Sequence, residues 1–225
     1  MKANVTRRNF LTTAGSAALA VTATSMLAAE AAAKPVKLLG IACSPRRGMT
    51  TAKAVQAALD AAKAISPSLE VELIDLGGLS IAGWSPKPPL DDFPALLPKL
   101  QDPAVGGLII GSPSYFRGMS SLCKAFIERC APLREPKMLL ANKPVGVVAV
   151  GAFRNGGQEL TIEQIQAAML CFGMIPVGGN PPAFQGATVL SAKDDVSGDD
   201  LGLDTARRLG ARVAELALRL ASSNA

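Results

Sequence analysis

The chain has 225 residues, of which 49% are hydrophobic, with 23 basic and 18 acidic residues. It contains no histidine, which excludes Ser-His-Asp catalysis, Cys/His zinc sites and His-ligated haem. No run of Lys and Arg is interleaved with aromatic residues, so the sequence does not support binding to nucleic acid.

The N-terminal segment has the pattern of an export signal. The letters TRRNFL at 6–11 resemble the twin-arginine motif of Ser or Thr, two arginines, any residue, Phe and Leu. Segment 11–29 has too few large apolar residues for a stable membrane span, and the alanines at 31–33 suit a cleavage site. We therefore predict a twin-arginine signal peptide over 1–33, read by the twin-arginine translocase and leading to the periplasm. A basic tail and an uncleaved anchor are the alternatives.

The remaining chain, 34–225, is predicted to form one domain that can bury a core without cross-links. Its four cysteines include no CxxC pair. Cys123 and Cys130 are separated by about 10 Å along one predicted helix, too far for a disulfide. We interpret the cysteines as buried free thiols, and we expect no metal site.

Apolar runs alternate with helical patterns along this domain. Strands are predicted at 36–42, 69–76, 105–111, 143–151 and 174–179, and helices at about 51–65, 93–100, 120–130, 159–172 and 200–221. Mostly apolar strands alternating with helices indicate a parallel sheet covered on both faces. Charges alternate with apolar residues only in the second strand, which favours an edge position. We predict an α/β, doubly wound, five-stranded parallel sheet of order 2-1-3-4-5. The Gly/Pro-rich segment 77–98 is an oligomer contact, a lid or a surface loop.

Ligands of such sheets bind beyond the carboxyl ends of the strands, so we expect a ligand site at the three loops that follow the first, third and fourth strands. In the first loop, 43–51, hydroxyls and a tight turn at Gly48 precede a helix N-terminus, and Arg46 or Arg47 can add charge. This combination favours a phosphate. The alternative is an ordinary helix capped by Ser or Thr.

The second and third loops suit a planar heterocycle. Tyr115 and Phe116 present flat rings after the third strand, although core aromatic residues are the usual alternative. The third loop, 151–159, offers backbone amides together with Asn155 and Gln158, which can hydrogen-bond the carbonyl and N–H edge of a pyrimidine-like ring.

Together the three loops resemble the flavodoxin-like NAD(P)H-dependent FMN reductase superfamily, near the multimeric flavodoxin-like quinone reductases and the iron–sulfur flavoproteins. The first loop is similar to G-S-P-R-K-x-x-x-T, and the second to G-[ST]-P-x-Y-F-x-x-M-[SA] with a following K-x-[FL]-[IL]-[DE]-R. The third is similar to G-x-x-x-x-G-G-Q-E-x-T. The similarity spans nearly all of 34–225.

The resemblance implies a flavodoxin-like fold and an FMN cofactor. It places the phosphate at Ser44, Arg46, Thr50 and Thr51, the isoalloxazine along Pro113, Ser114, Tyr115 and Phe116, and the pyrimidine side at Gly151, Asn155, Gly156 and Gly157. It also implies an NAD(P)H donor, a quinone or similar small acceptor, and a homodimer or homotetramer.

The sequence differs in two respects from the families that it resembles. The quinone reductases often carry a histidine in the third loop, where this chain has Arg154 and Asn155. The iron–sulfur flavoproteins carry a cysteine cluster after the second strand, where this chain has no cysteine, so we expect no iron–sulfur cluster.

These observations predict an exported, FMN-dependent oxidoreductase without an assigned catalytic side chain, because the flavin itself carries the redox chemistry. Twin-arginine export of a folded protein suits a cofactor made in the cytoplasm. However, NAD(P)H is a cytoplasmic reductant, so an exported enzyme needs another electron source or another task. A flavodoxin-type electron carrier is the main alternative, although a pI near 9.2 is unlike the acidic carriers. A flavin-binding protein without turnover is the third.

Overall fold

The apolar runs of the sequence become strands of one sheet in the computed structural model, which describes residues 35–223. The strands are β1 (Val36–Ala42), β2 (Leu69–Asp75), β3 (Val105–Tyr115), β4 (Gly118–Met119), β5 (Pro144–Gly151), β6 (Ile175–Pro176) and β7 (Ala187–Leu190). The α-helices are α1 (Thr50–Lys63), α2 (Leu97–Leu100), α3 (Ser121–Arg129), α4 (Gln158–Leu170) and α5 (Asp200–Ser223), with 3-10 turns at Phe93–Leu96 and Ala131–Leu133. The predicted export signal lies outside the described residues.

The sheet has the order β2-β1-β3-β5-β6 with parallel neighbours, so the predicted flavodoxin-like α/β class is confirmed. The predicted count of five strands and the order 2-1-3-4-5 are wrong in detail. The fifth position holds two short strands, because β6 pairs with the start of β5 and β7 pairs with its end. Between them lie Gly178-Gly179 and Pro181-Pro182, residue types that interrupt a ladder.

The second departure is a hairpin in the second loop. Residues 112–115 were expected to be irregular, but they extend β3, which pairs with β5 as far as Pro113 and then with the antiparallel strand β4. The hairpin therefore projects from the carboxyl edge of the sheet, where the ligand site is predicted.

Alternation along the strands divides the core into two layers. Leu39, Ile41 and Cys43 face the layer that contains α3 and α4, whereas Leu38 faces the layer of α1 and α5. A Cβ on Gly40 would lie 2.6 Å from Leu59 Cδ1, so a glycine there lets α1 approach β1 closely. Both faces of the sheet are thus covered, as the apolar strands predicted.

Two smaller expectations are corrected. Helix α1 ends at Lys63, so Ile65, the last residue of the predicted helix, lies beyond it with 39% of its surface exposed. Cys43, Cys123 and Cys130 are buried free thiols as predicted, but Cys171 follows the last turn of α4 and is exposed. Among the described residues, no helix has the length and apolar character to span a membrane.

Candidate functional site

The first loop delivers a helix N-terminus without a side-chain cap. The N-cap residue of α1 is Met49, and within the described chain its side chain makes no capping hydrogen bond. Gly48 turns the chain with φ +67°, and its amide donates to Asp75 Oδ2 at 2.7 Å. The alternative of a Ser- or Thr-capped helix is therefore wrong. The first amides of the 14-residue α1 lie at the positive end of its dipole, an arrangement that suits an anion.

The polar residues predicted around this terminus differ in exposure. Ser44, Thr50 and Thr51 are buried, and Ser44 Oγ accepts a hydrogen bond from the Arg46 amide at 3.2 Å. The Arg46 side chain is exposed, and its guanidinium donates to Asp194 Oδ1 at 2.6 Å. The carboxylate of Asp194 and then the Tyr115 hydroxyl raise the pKa of Arg46. The Arg46 side chain therefore extends from the first loop towards Asp194 and the Tyr115 hydroxyl.

One buried hydroxyl joins the first two loops. Ser120 Oγ donates to the Cys43 carbonyl at 2.6 Å, and the Ser120 amide donates to Ser112 Oγ at 3.0 Å. Ser120 also caps α3 by accepting from the Cys123 amide. Ser120 was not among the predicted site residues. Its position as a serine directly before a helical pattern was the available signal.

The hairpin of the second loop carries two residues in the left-handed region. Phe116 and Arg117 have φ values of +49° and +66° between the paired residues Tyr115 and Gly118. A two-residue turn with both φ values positive normally uses Asn or Gly, so this turn is strained. Tyr115 is 43% exposed and Phe116 fully exposed, so both rings are available beside the loops rather than in the core. The core alternative for these two aromatic residues is therefore wrong.

The third loop is bonded to the base of the hairpin. Ser114 Oγ donates to the Gly156 carbonyl at 2.9 Å, and Thr161 Oγ1 donates to Ser114 Oγ at 3.1 Å. Gly157 is the N-cap of α4 with φ +91°, and a Cβ there would lie 2.7 Å from Arg117 Cα. Glycine at this position lets the third loop contact the hairpin directly.

Gln158, the first residue of α4, carries an unpaired acceptor. Its Nε2 donates to the Phe153 carbonyl at 2.7 Å, but Oε1 has no partner, the one such buried side-chain atom among residues 35–223. The side chain packs against Gly151, where a Cβ would lie 2.5 Å from Nε2. A buried acceptor without a donor costs stability, and it fits a ligand that brings an N–H group, as the pyrimidine ring of a flavin does.

A fourth loop, 191–199, completes the same edge of the sheet and was missed. Besides the Asp194 pair with Arg46, Asp195 lies 3.7 Å from Lys53, and buried Asp199 pairs with Arg154. Although burial alone raises the pKa of Asp199, hydrogen bonds from Arg154 and two backbone amides lower it. The letters KDDVSGDD, directly before the last helix, were the available signal.

A cleft of about 500 Å³ opens between the third loop and the start of α5. The exposed Asn155 lines it together with Arg117, Arg154, Gln158 and Leu201. The structure thus brings the predicted residues of all three loops to one edge, and it adds the acidic fourth loop to them.

Comparison with known proteins shows the family of this chain. The profile of the family described as NADPH-dependent FMN reductase matches residues 36–188. An iron-sulfur flavoprotein of Methanocaldococcus jannaschii is 41% identical over 192 residues, 80% of this chain and 97% of that protein. An NAD(P)H dehydrogenase (quinone) of Archaeoglobus fulgidus is 35% identical over 136 residues, 58% of this chain and 69% of that protein.

Among solved structures, RosB with a bound 8-demethyl-8-formylriboflavin-5'-phosphate intermediate is similar in fold. The TM-score is 0.67 at 16% identity, covering 84% of this chain and 82% of RosB. This similarity supports the fold assignment.

The donor set for an iron–sulfur cluster is not assembled in the described part of the chain. No group of three or more His, Cys, Asp or Glu side chains within residues 35–223 is arranged to hold a metal ion. The residues of the three loops, in contrast, fit FMN through an uncapped helix N-terminus, exposed rings and an unpaired buried acceptor. The chain belongs to the NADPH-dependent FMN reductase family, whose members are FMN-dependent flavoprotein oxidoreductases.

Proposed function

We propose that this protein is an exported oxidoreductase that passes electrons from a reduced donor, NAD(P)H or a periplasmic substitute, through FMN to a quinone or similar small acceptor. The observation that carries the proposal is the bonding of three loops into one frame around the uncapped N-terminus of α1. The similarity to an archaeal NAD(P)H dehydrogenase (quinone) supports the choice of acceptor.

In this proposal the first loop holds the phosphate of FMN. The amides at the start of α1 supply hydrogen-bond donors, and the buried hydroxyls of Ser44, Thr50 and Thr51 supply more. Arg46 adds a charge at the rim, where it exchanges its Asp194 partner for the phosphate. Because the donors are mainly backbone amides, the loop selects an anion by geometry more than by net charge.

The second and third loops hold the ring. Residues Pro113, Ser114, Tyr115 and Phe116 line one side, and Gly151, Asn155, Gly156 and Gly157 lie at the pyrimidine side. When bound, FMN supplies the electron-transfer chemistry, and the chain orients it. The hydrogen bond from Ser114 Oγ to the Gly156 carbonyl fixes the two loops relative to each other before any ligand arrives.

The two arginines near the third loop have different roles. The Arg154 guanidinium is engaged by the buried Asp199 carboxylate, so its charge is largely compensated. Arg117 sits on the exposed hairpin turn and lines the cleft beside Asn155. We infer that Arg117 attracts an anionic donor or acceptor, whereas Arg154 anchors the start of α5.

The visible absorption spectrum of protein purified from the exported fraction is the first test. A flavin spectrum, with FMN identified by chromatography after release, supports the site. Anaerobic titration with NADH, NADPH and quinols then identifies the donor. Two-electron uptake followed by rapid transfer to quinones supports the enzyme, whereas a persistent paramagnetic one-electron state supports the carrier. A colourless protein that does not bind added FMN would refute both.

Export is tested separately by fractionation. We expect the chain in the periplasm and expect replacement of both arginines at 7–8 by lysine to retain it in the cytoplasm. Unchanged export of the double-lysine variant would refute the twin-arginine route.

We further propose that the protein forms a homodimer or homotetramer through segment 77–98. Trp84 is 65% exposed and Leu90 fully exposed on this segment, and large exposed apolar side chains are typical of interfaces. Light scattering should give two or four chains per particle, and Trp84→Ala should shift the mass towards one chain. A monomeric wild-type protein at micromolar concentration would refute the assembly.

A further inference from the structure

Two buried cysteines, Cys43 and Cys123, lie where the first loop begins and where helix α3 follows the second loop. Cys43 directly follows β1, and strand alternation directs its side chain into the same layer as Leu39 and Ile41, the layer that α3 covers. Cys123 lies in the first turn of α3 and faces that layer too. Both residues are fully buried and belong to the same hydrophobic cluster, although 80 positions separate them in the sequence.

The backbones of these cysteines are held on either side of one oxygen atom. Ser120 Oγ donates to the Cys43 carbonyl at 2.6 Å and accepts from the Cys123 amide at 3.0 Å. Two hydrogen bonds to the same atom make the backbones close neighbours, as a disulfide requires. The Cys43 thiol itself donates a weak hydrogen bond to the Ile41 carbonyl at 3.8 Å. Burial raises the pKa of the Cys43 thiol, and a hydrogen bond with the Cys123 side chain raises it further.

Other pairings are disfavoured by position. Cys123 lies in the first turn of α3 and Cys130 directly follows its last residue, so nearly two turns, about 10 Å along the axis, separate them. Cys171 follows the last turn of α4 and is exposed, apart from the buried cluster. Of the two buried cysteines that could pair with Cys43, Cys123 is the one whose backbone is joined to that of Cys43 through a single oxygen atom, so the geometry favours this pair.

We propose that Cys43 and Cys123 form a reversible disulfide that links the first loop, 43–51, to helix α3. In exchange with a low-molecular-weight disulfide such as oxidised glutathione, the two S–H bonds break and one S–S bond forms. The pair loses two electrons and two protons, and the oxidant becomes two thiols. The bond fixes Ser44, the next residue after Cys43, relative to the hairpin of the second loop. It does not depend on flavin binding, and an oxidising compartment favours it.

The raised pKa of Cys43 keeps its thiol protonated near neutral pH, so exchange in the folded protein is slow. The test therefore has two arms. In one, the full chain is held overnight at pH 8 with oxidised glutathione; in the other, reduced and denatured chain is refolded in a glutathione redox buffer. Free thiols are then alkylated and the protein is digested with trypsin.

Trypsin separates the four cysteines onto the peptides 38–46, 118–124, 130–134 and 155–193, so each linkage has its own mass. A reducible 38–46/118–124 cross-link in either arm is the expected result. Alkylated Cys43 and Cys123 in both arms, or a dominant link to Cys130 or Cys171, would overturn the proposal. This peptide map uses the wild-type chain and does not depend on any variant folding.

Thermal unfolding gives a second readout. A bond that closes a loop of about 80 residues should raise Tm by on the order of 10 °C relative to the reduced protein. Cys43→Ala and Cys123→Ala should abolish this difference. Cys130→Ala, a buried cysteine of the same cluster, is the matched control and should retain it. An equal Tm in both redox states of a cross-linked wild type would show that the bond does not constrain the fold.

Discussion

Two segments that follow the carboxyl ends of edge strands are each held by an aspartate–arginine pair, but the pairs lie in opposite surroundings. Segment 77–98, after β2, is anchored by Asp91 on Arg129, whose side chains are 1% and 10% exposed. Loop 191–199, after β7, meets the first loop through Asp194 on Arg46, with 60% and 45% exposed. A buried pair loses its partner only at high cost, whereas an exposed pair exchanges readily with water or a ligand.

The buried pair is reinforced from several directions. The Arg129 guanidinium lies 5.0 Å from the centre of the Phe93 ring, a cation–π contact. Asp91 also accepts hydrogen bonds from the Ala82 and Phe93 amides. The difference indicates that segment 77–98 is a fixed part of the fold, whereas loop 191–199 is held by an exposed ion pair beside the proposed phosphate site.

Breaking the buried Asp91–Arg129 pair should cause the largest loss of stability. In Arg129→Met the Asp91 carboxylate loses its counter-ion while it remains buried, which should cost about 3–5 kcal/mol of unfolding free energy. Urea denaturation checks this value. The matched control is Lys124→Met on the same helix, which breaks the exposed Lys124–Glu128 pair and should cost less than about 1 kcal/mol. Equal losses of unfolding free energy in the two variants would contradict the conclusion that segment 77–98 is a fixed part of the fold.

The same pair should make stability depend on pH. Burial alone raises the pKa of Asp91, but hydrogen bonds from Ala82 and Arg129 lower it below its usual value. A carboxyl group with a lowered folded-state pKa stabilises the fold above the unfolded pKa of about 3.9, and this contribution disappears as pH falls through the folded value. Asp91→Asn should therefore be clearly less stable than wild type at pH 7, with the gap narrowing below about pH 4. A gap that stays constant between these two pH values in urea denaturation would contradict the prediction.

Two glycines with positive φ, one in the third loop and one in segment 77–98, allow the effect of each region on FMN binding to be compared. A Cβ on Gly157 would meet the backbone of Arg117 at 2.7 Å, whereas a Cβ on Gly78, with φ +79°, has nothing within 4 Å. Gly157→Ala should push the third loop away from the hairpin and raise the Kd for FMN at least about tenfold. Gly78→Ala should add only local strain of about 1 kcal/mol and leave the Kd unchanged. Fluorescence titration of FMN measures both, and equal affinities would mean that the third loop does not shape the site.

Local patterns in the sequence predicted most of the sheet and the long helices. The limits of β1 were predicted because a continuous apolar run ends at a Ser-Pro loop, and α5 followed from its apolar stripe. Strand β7 was missed because it has only four residues and follows a Gly/Pro-rich stretch. The hairpin was missed because Phe116 and Arg117 are not the residues that such turns favour.

Those parts of the candidate site that depend on residues close together in the sequence were predictable. The uncapped start of α1, the exposed rings and the glycines of the third loop all lie within short motifs after strands. The partners of Arg46 and Arg154 were not predictable in this way, because Asp194 and Asp199 lie far along the chain and meet them only after β7 joins the sheet. Pairings of this kind depend on topology, and a carboxylate-rich loop at the end of the last strand was the only local indication.

The smallest expected effect concerns the exposed pair itself. If the phosphate of FMN replaces Asp194 at Arg46, then Asp194→Asn removes a competing negative charge and should lower the Kd for FMN by about two- to fivefold, the range of exposed ion pairs. Arg46→Met should raise the Kd, and added salt should reduce both differences, because the charges are solvent-exposed. Asp204→Asn, which breaks the exposed pair with Arg208 on α5, is the matched control and should leave the Kd unchanged. A higher Kd in Asp194→Asn would instead show that this carboxylate orients Arg46 towards the phosphate, and loop 191–199 would then belong to the fixed frame, as segment 77–98 does.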